Sequence, residues 1–340
     1  MKRIVCFGEI MMRLNPPDHQ RITQADCFCA TYAGGEANVA ASLAAFGQKA
    51  SFVTKLPQND LGEACLSAVR AVGIDTQHIL RGGKRLGLYF VEKGASQRPS
   101  KVIYDRADSA IATADPSEFH WDEILRGADW FHFTGITPAL GENVQQMCLD
   151  ACRYCREHGI TVSCDLNYRN KLWTTKQAEK VMSELCQYVD ICFANEEDAA
   201  QVFGIKAAET DVTAGQVDHA SYCQVAKKLQ ERFKFRMVAI TLRSSISADD
   251  NRWAAMCFDG GNFYFSKEYL IHIVDRVGAG DSFCGGLIYA LLERYAPQQA
   301  IEFAAAASCL KHTIEGDFNR VSVQEVCSLV AGNASGRVQR

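Results

Sequence analysis

Val274 to Arg294, VDRVGAGDSFCGGLIYALLER, holds residues whose order suggests chemistry. Gly278-Ala279-Gly280 can bring backbone N–H groups close to a phosphate, because glycine takes φ > 0 and has no side chain to block the approach. Asp281 follows at once. Phe283, Leu287, Ala290, Leu291 and Arg294 then fall at helical spacing, so the glycine turn is expected to open a helix whose N-terminus favours negative charge. A carboxylate beside an anion hole suits phosphoryl transfer from ATP to a hydroxyl: a base takes the hydroxyl proton and donors stabilise charge on the transferred group. The same residues also suit a plain glycine turn with Asp281 as a helix cap.

The longer string Asp275-x-x-Gly278-Ala279-Gly280-Asp281-x-Phe283-x-x-Gly286 resembles the C-terminal signature of the PfkB-type, ribokinase-like carbohydrate kinases. Gly34-Gly35-Glu36-Ala37-Asn38-Val39-Ala40 resembles the same family's N-terminal glycine pair, in the family's order and at its separation, so the resemblance covers nearly the whole chain. It implies a three-layer α/β/α domain with a mostly parallel central sheet and a small β-sheet lid. The kinase domain would span residues 1–331, with lid strands from about 10–33 and 85–108, and 332–340 would be a C-terminal tail. It implies Asp281 as base, Gly278, Ala279 and Gly280 as the anion hole, and Mg2+ accompanying ATP. It leaves room for a monovalent cation such as K+ and for a homo-oligomer, dimer or higher, assembled through the lid.

Composition agrees with a soluble, cytoplasmic enzyme acting on small molecules. A chain of 340 residues can bury a large core as one α/β domain or two smaller ones, and a formal net charge of −4 gives no general pull toward nucleic acid or anionic membrane. No run of about eighteen apolar residues exists. The opening MKRIVCFGEIMMRL is interrupted by Glu9 and Arg13 and has no small-residue cleavage site, so it reads as a buried strand. The fifteen cysteines are scattered through apolar segments, as reduced thiols would be. Cys148, Cys152 and Cys155 form an i, i+4, i+7 series, the pattern of a buried helix face. The histidines show no ligand spacing.

Along the chain, RIVCFG at 3–8 reads as a strand ending in glycine, and 22–33 as a short exposed strand. Gly34 and Gly35 precede a small-residue helix, Asn38 to Phe46, closed by Gly47; backbone N–H groups and the Asn38 amide there can face a polyhydroxylated ligand, or the glycines can simply permit close packing. Lys49 to Lys55 reads as a strand and Asp60 to Val72 as a helix. Residues 86–92 and 101–106 look like a strand pair joined by the polar loop 93–100, with Tyr89 on the first and Tyr104 and Arg106 on one face of the second.

In the family such strands cover the sugar, and the Tyr-Asp-Arg-Ala-x-Ser-Ala string at 104–110 resembles one branch, the 2-keto-3-deoxygluconate kinases. That substrate carries a carboxylate, which an arginine fork with tyrosine hydroxyls would receive. Relatives often place a hydroxyl-binding aspartate where Met12-Arg13 stand here, so the expected preference shifts toward an anion. The expected sugar-site residues are Gly34, Gly35, Asn38, Tyr89, Tyr104, Arg106, Arg169 and Asp281. A fructokinase or other neutral-sugar kinase is the alternative, and would leave Arg106 and Arg169 without a carboxylate.

From Trp121 onward, short apolar runs at 129–134, 160–165, 189–194 and 237–241 alternate with helical patterns at 142–158, 175–187, 196–203 and 220–233, the mark of a parallel sheet covered on both faces. Ligands bind beyond the carboxyl ends of such strands. There lie Asp165-Leu166-Asn167-Tyr168-Arg169, resembling the family's D-x-N-x-R, and Asn195-Glu196-Glu197-Asp198, resembling N-x-x-E with Asp198 in the acid position. The resemblance implies Asn195, Thr241, Arg243, Gly278 and Gly280 at ATP, and Asp198 with Glu197 at Mg2+ through water. Asn195 equally suits a helix cap. Arg243 stands where many relatives have glycine. Strands at 252–258 and 262–266, an alanine-rich helix from Pro297 to Thr313 and a last helix from Val321 to Val330 complete the reading. A dinucleotide-binding dehydrogenase would want G-x-G-x-x-G after the first strand, where only Gly8 stands, and a sugar sensor without catalysis would be expected to have lost Asp281.

Overall fold

The first strand, β1 (Arg3–Phe7), is buried on both faces: Val5 and Phe7 face one core, Ile4 and Cys6 the other. Such a strand must lie inside a sheet with helices on each side. The computed structural model describes residues 1–195, 197–206, 219–333 and 336, so the expectation at Glu196 and those for most of the tail beyond 333 lie outside the described residues. After β1 come β2 (Met11–Asn15), β3 (Cys29–Ala33), α1 (Gly35–Ala45), β4 (Lys49–Leu56) and α2 (Asp60–Ala71). Next are β5 (Ile79–Arg81), β6 (Gly87–Glu92), β7 (Lys101–Asp105), α3 (Trp121–Ile124), β8 (Trp130–Thr134), α4 (Glu142–His158) and β9 (Thr161–Asp165). Then follow α5 (Thr175–Leu185), β10 (Ile191–Ala194), α6 (Asp198–Phe203), α7 (His219–Phe233), β11 (Met237–Ser245), β12 (Asp250–Phe258), β13 (Phe263–Phe265) and β14 (Tyr269–His272). Helices α8 (Ala279–Leu292), α9 (Pro297–Lys311) and α10 (Val323–Val330) end the fold.

The large sheet has ten strands among the described residues, in the order β13-β12-β11-β10-β9-β8-β1-β4-β5, with β14 also on β12. Strands β11 to β5 along that order are parallel, while β12, β13 and β14 pair antiparallel at one edge. Helices α4 to α7 pack on one face; α1, α2, α8, α9 and α10 cover the other. A separate four-stranded sheet, β3-β2-β6-β7, stands apart from it.

Helices α1, α8 and α9 approach closely because small residues meet. A Cβ on Gly285 would lie 2.6 Å from the Ser42 Cβ, and one on Gly286 3.0 Å from the Ala304 Cα. Ser308 Oγ donates to the Ala279 carbonyl (2.7 Å), tying α9 to the first residue of α8. Cys148, Cys152 and Cys155 line the buried face of α4, where burial pushes their thiols well up. The fifteen cysteines are present as thiols rather than disulfides, and among the described residues no helix is long and apolar enough to cross a membrane.

Several elements differ from their sequence patterns. Residues 22–33 are not one strand: Ile22–Gln24 form a single 3-10 turn and only Cys29–Ala33 join the small sheet. Helix α1 begins at Gly35 rather than Asn38, so Glu36 sits in its first turn, buried, accepting from the Thr134 N–H and Oγ1 (both 2.8 Å). The short strands β5 and β14 carried no periodic signal over their three and four residues.

Candidate active site

Gly278 caps α8 with φ +82°, a conformation glycine takes without strain, and a Cβ there would collide with the Asp317 carbonyl oxygen. The N–H groups of Gly280 and Asp281 precede the first bond of the helix, Ser282 N to Gly278 O (2.9 Å), and so remain free for an anion. Gly280 has no atom within 4 Å of where a Cβ would stand; it faces open space.

That space is a cavity of about 300 Å³ that holds the glycine turn together with Asn195, Asp198, Thr241 and Arg243. A second cavity of about 100 Å³ gathers Gly34, Gly35, Asn38, Tyr89, Tyr104, Arg106 and Arg169. Asp281 lines both, as do Asn167, Arg169 and Val277. The Asp281 Oδ2 accepts from Asn38 Nδ2 (2.7 Å). The side chain keeps some surface open to the cavities, yet it lies deep enough that lost hydration pushes its pKa up to about 7; the Asn38 bond and Arg169 work against this, Glu36 and Asp317 with it. A carboxylate with that pKa, at the junction of two cavities and beside free N–H groups, can accept a proton from a hydroxyl held in one and face a phosphate held in the other.

The smaller cavity corrects part of the charge expected from sequence. Arg106 is already paired: its Nε donates to Glu9 Oε2 (2.7 Å), its Nη2 reaches the same oxygen, and Ser109 binds the other. Arg13 does not line the smaller cavity; it is 1% exposed and bound to Asp275 (2.8 Å) and Asp317. Tyr89 is buried and donates its hydroxyl to Asp317 Oδ2 (2.6 Å), while its ring stacks on Tyr104 (centroids 6.0 Å). Arg169 differs: its Nη1 donates to the Tyr168 carbonyl (2.9 Å), and among the described residues it forms no ion pair. Asn167, two residues earlier, has φ +37°, a value asparagine tolerates better than most residues, and this turn carries the chain from β9 to Arg169 at the junction.

The larger cavity has an acidic end and a basic end. At the acidic end Asp198 accepts from the backbone N–H groups of Tyr168 (3.0 Å) and Asn195 (3.2 Å), and Asp165 stands nearby. Burial raises both pKa values, and for Asp165 the charges of Asp198 and Asp281 raise it further. Sequence reasoning assigned Asp165 no role, although its place at the end of β9 was the available signal. Asn195 Oδ1 accepts from the N–H groups of Glu197 (2.8 Å) and Asp198 (2.9 Å), which is the helix-cap arrangement. Glu197 does not line the cavity; it is exposed, with Oε2 accepting from Gln201 one turn on (3.3 Å). At the basic end Arg243 is joined by Arg276, which sequence reasoning passed over; burial and then Arg243 lower the Arg276 pKa.

Residues 1–320 match the profile of the pfkB family carbohydrate kinases. A 2-dehydro-3-deoxygalactonokinase of Haloferax volcanii is 33% identical over 333 residues, covering 98% of each chain. A 2-dehydro-3-deoxygluconokinase of Bacillus subtilis is 27% identical over 326 residues, covering 94% of this chain and 93% of its own. Among solved structures, a 2-dehydro-3-deoxygluconokinase of Thermotoga maritima superposes with a TM-score of 0.94 at 53% identity, over 97% of this chain and 98% of its own.

Proposed function

The chain belongs to the pfkB family of carbohydrate kinases, and from that membership we propose that it transfers the γ-phosphoryl group of ATP to the 6-hydroxyl of 2-keto-3-deoxygluconate (2-dehydro-3-deoxygluconate). The observation that carries the reading is Asp281 at the junction of the two cavities. The sugar acid occupies the smaller cavity and the ATP phosphates the larger. The hydroxyl proton passes to the Asp281 carboxylate as the oxygen attacks the γ-phosphorus. The bond from that phosphorus to the ADP oxygen breaks, and the N–H groups at the start of α8 take charge on the moving phosphoryl group.

Mg2+ fits the acidic end. Two buried carboxylates there, Asp165 and Asp198, have their pKa values raised, so a cation would relieve the cost of their ionisation. Asp198, with Asp165 beside it, would hold the ion through water, and the ion would neutralise phosphate charge. A monovalent cation fits less well beside the turn. Asp275 and Asp317, the two aspartates on either side of it, already take Arg13, Tyr89 and the N–H groups of Val277 and Gly316.

The test is a coupled ATP-turnover screen over keto-sugar acids, ketoses, aldoses and nucleosides, with both C4 epimers of the keto-deoxy acid included. The 2-keto-3-deoxy acids are expected to give the highest kcat/KM, and equal or better turnover of fructose would replace this reading with a neutral-sugar kinase. Assembly through the small sheet is a further part of the proposal. Among the described residues its outer strands β3 and β7 have unpaired edges, and Phe28, Ile103 and Tyr104 are exposed on or beside them; such edges invite pairing with another chain. Light scattering of the purified protein should return a mass of two or more chains, and a monomer at micromolar concentration would remove this part.

A further inference from the structure

The buried ion cluster behind the glycine turn has no part in the chemistry described so far. We propose that Arg13 is a positioning residue for phosphoryl transfer, acting from the small sheet on the two aspartates that flank the Gly278 turn and so fixing the N–H groups at the start of α8. The proposal rests on the kinase reading above for what the turn does.

Arg13 reaches both sides of the turn. Its Nη2 lies 2.8 Å from Asp275 Oδ2 and its Nη1 binds Asp317 Oδ1. Asp275 is three residues before Gly278; its Oδ1 accepts from the Val277 N–H inside the turn (3.1 Å) and its Oδ2 from the Gly316 N–H (3.2 Å). Asp317 presses its carbonyl against the bare α-carbon of Gly278. The turn is thus held between the Asp275 carboxylate and the Asp317 backbone carbonyl, and one guanidinium fork joins the two aspartates, a bridging geometry a lysine cannot reproduce.

The cluster is poorly explained as a stabilising device. The guanidinium is 1% exposed, its Nε has no hydrogen-bond partner among the described residues, and Lys311, fully buried beside it, donates only to the Ile314 carbonyl (3.2 Å). Desolvating such ions cancels most of their attraction, and apolar side chains of similar volume would hold the sheet at least as well. What apolar residues would not supply is the link to the sugar site. Tyr89 is the register partner of Arg13 across β2 and β6, and it donates to the other oxygen of Asp317 while lining the smaller cavity. A ligand touching Tyr89 therefore bears on Asp317, and through Asp317 and Arg13 on both ends of the anion-binding turn.

The test compares wild type with Arg13→Met and Arg13→Lys, using the best acceptor from the screen. Arg13→Lys keeps the charge but reaches only one aspartate; it carries the test if Arg13→Met does not fold. Well below the unfolding temperature, kcat is expected to fall about tenfold or more with the KM for ATP changed by less than about threefold, because the turn's donors bind most strongly in the transition state. Deuterium uptake, read by mass spectrometry, gives an answer that needs no turnover. Within 275–282, the hydrogen-bonded amides of Val277 and Ser282 should exchange about tenfold faster in the variants while those of α4 keep the wild-type rate, a local opening rather than a global one. Wild-type kcat in both variants, or uptake that is unchanged at 275–282 or raised equally everywhere, would overturn the role of Arg13. An inactive wild type with the local uptake change would overturn the kinase reading and leave the clamp standing.

Discussion

Replacing Asp281 by asparagine is expected to leave a folded protein whose kcat is about 100- to 10,000-fold lower, the usual contribution of a positioned general base. The amide keeps the shape, and its oxygen can still accept the 2.7 Å bond from Asn38 Nδ2, but it cannot take the hydroxyl proton. The wild-type pH profile should carry the same group. With a pKa of about 7 and the ionised form active, kcat/KM falls about tenfold per unit as pH drops below that value and levels off above it. Stability runs the other way. The folded-state pKa lies above the unfolded value of 3.8, so the fold favours the protonated group. The penalty for ionising it is absent below the unfolded pKa, grows as pH rises through the interval and is complete above about 7. The shift corresponds to roughly 4 kcal/mol at most, less whatever water in the cavities restores. The asparagine variant, which has no charge to bury, should therefore melt higher than wild type at pH 8 and no higher at pH 4. A variant keeping more than a tenth of wild-type kcat would remove Asp281 from the role.

Much of this arrangement was legible in the sequence, for physical reasons that differ from place to place. The parallel strands announced themselves because a strand buried on both faces must be apolar throughout, as Val5, Phe7, Ile4 and Cys6 are. The glycine turn was legible because Gly278 needs φ +82° against the Asp317 carbonyl, a demand few residues other than glycine meet. Charge pairing was not legible. Arg106 and Glu9 are 97 positions apart and Arg13 and Asp317 are 304 apart, so nothing local distinguishes an arginine already neutralised from one free to meet a ligand. The lack of an aspartate at Met12-Arg13 points toward an anionic substrate, but Arg13 itself is an internal tie. Asp165 was hidden for the opposite reason: its meaning comes from Asp198 and Asp281, brought to it from other strands and helices. Asn195 and Asp198 could be read as cap or as ligand, and the hydrogen bonds show the cap without removing Asp198 from the cavity wall.

That difference between arginines decides how the substrate's charge should be tested. Arg106 and Arg169 looked equivalent as receptors for a carboxylate, but Arg106 already shares the Glu9 carboxylate, whereas Arg169 forms no ion pair among the described residues and lines both cavities. A guanidinium with its charge already met gains little from a second anion; one without a partner gains a charge-assisted bond. Losing such a bond costs about 1.5–3 kcal/mol, or roughly ten- to a hundredfold in kcat/KM. Arg169→Ala should therefore reduce kcat/KM for 2-keto-3-deoxygluconate by that factor relative to its rate on fructose, which has no carboxylate to lose. Arg106→Ala should change the ratio of the two substrates by less than about threefold, its main effect being to leave Glu9 buried at 3% exposure without its cation, which lowers the melting temperature instead. Because Arg169 also borders the larger cavity, where ATP is proposed to bind, its loss is expected to raise the KM for ATP with both sugars alike, so the ratio between acid and neutral substrate is the quantity to read. A ratio unchanged in Arg169→Ala, or changed more by Arg106→Ala, would mean that the carboxylate is held elsewhere in the smaller cavity.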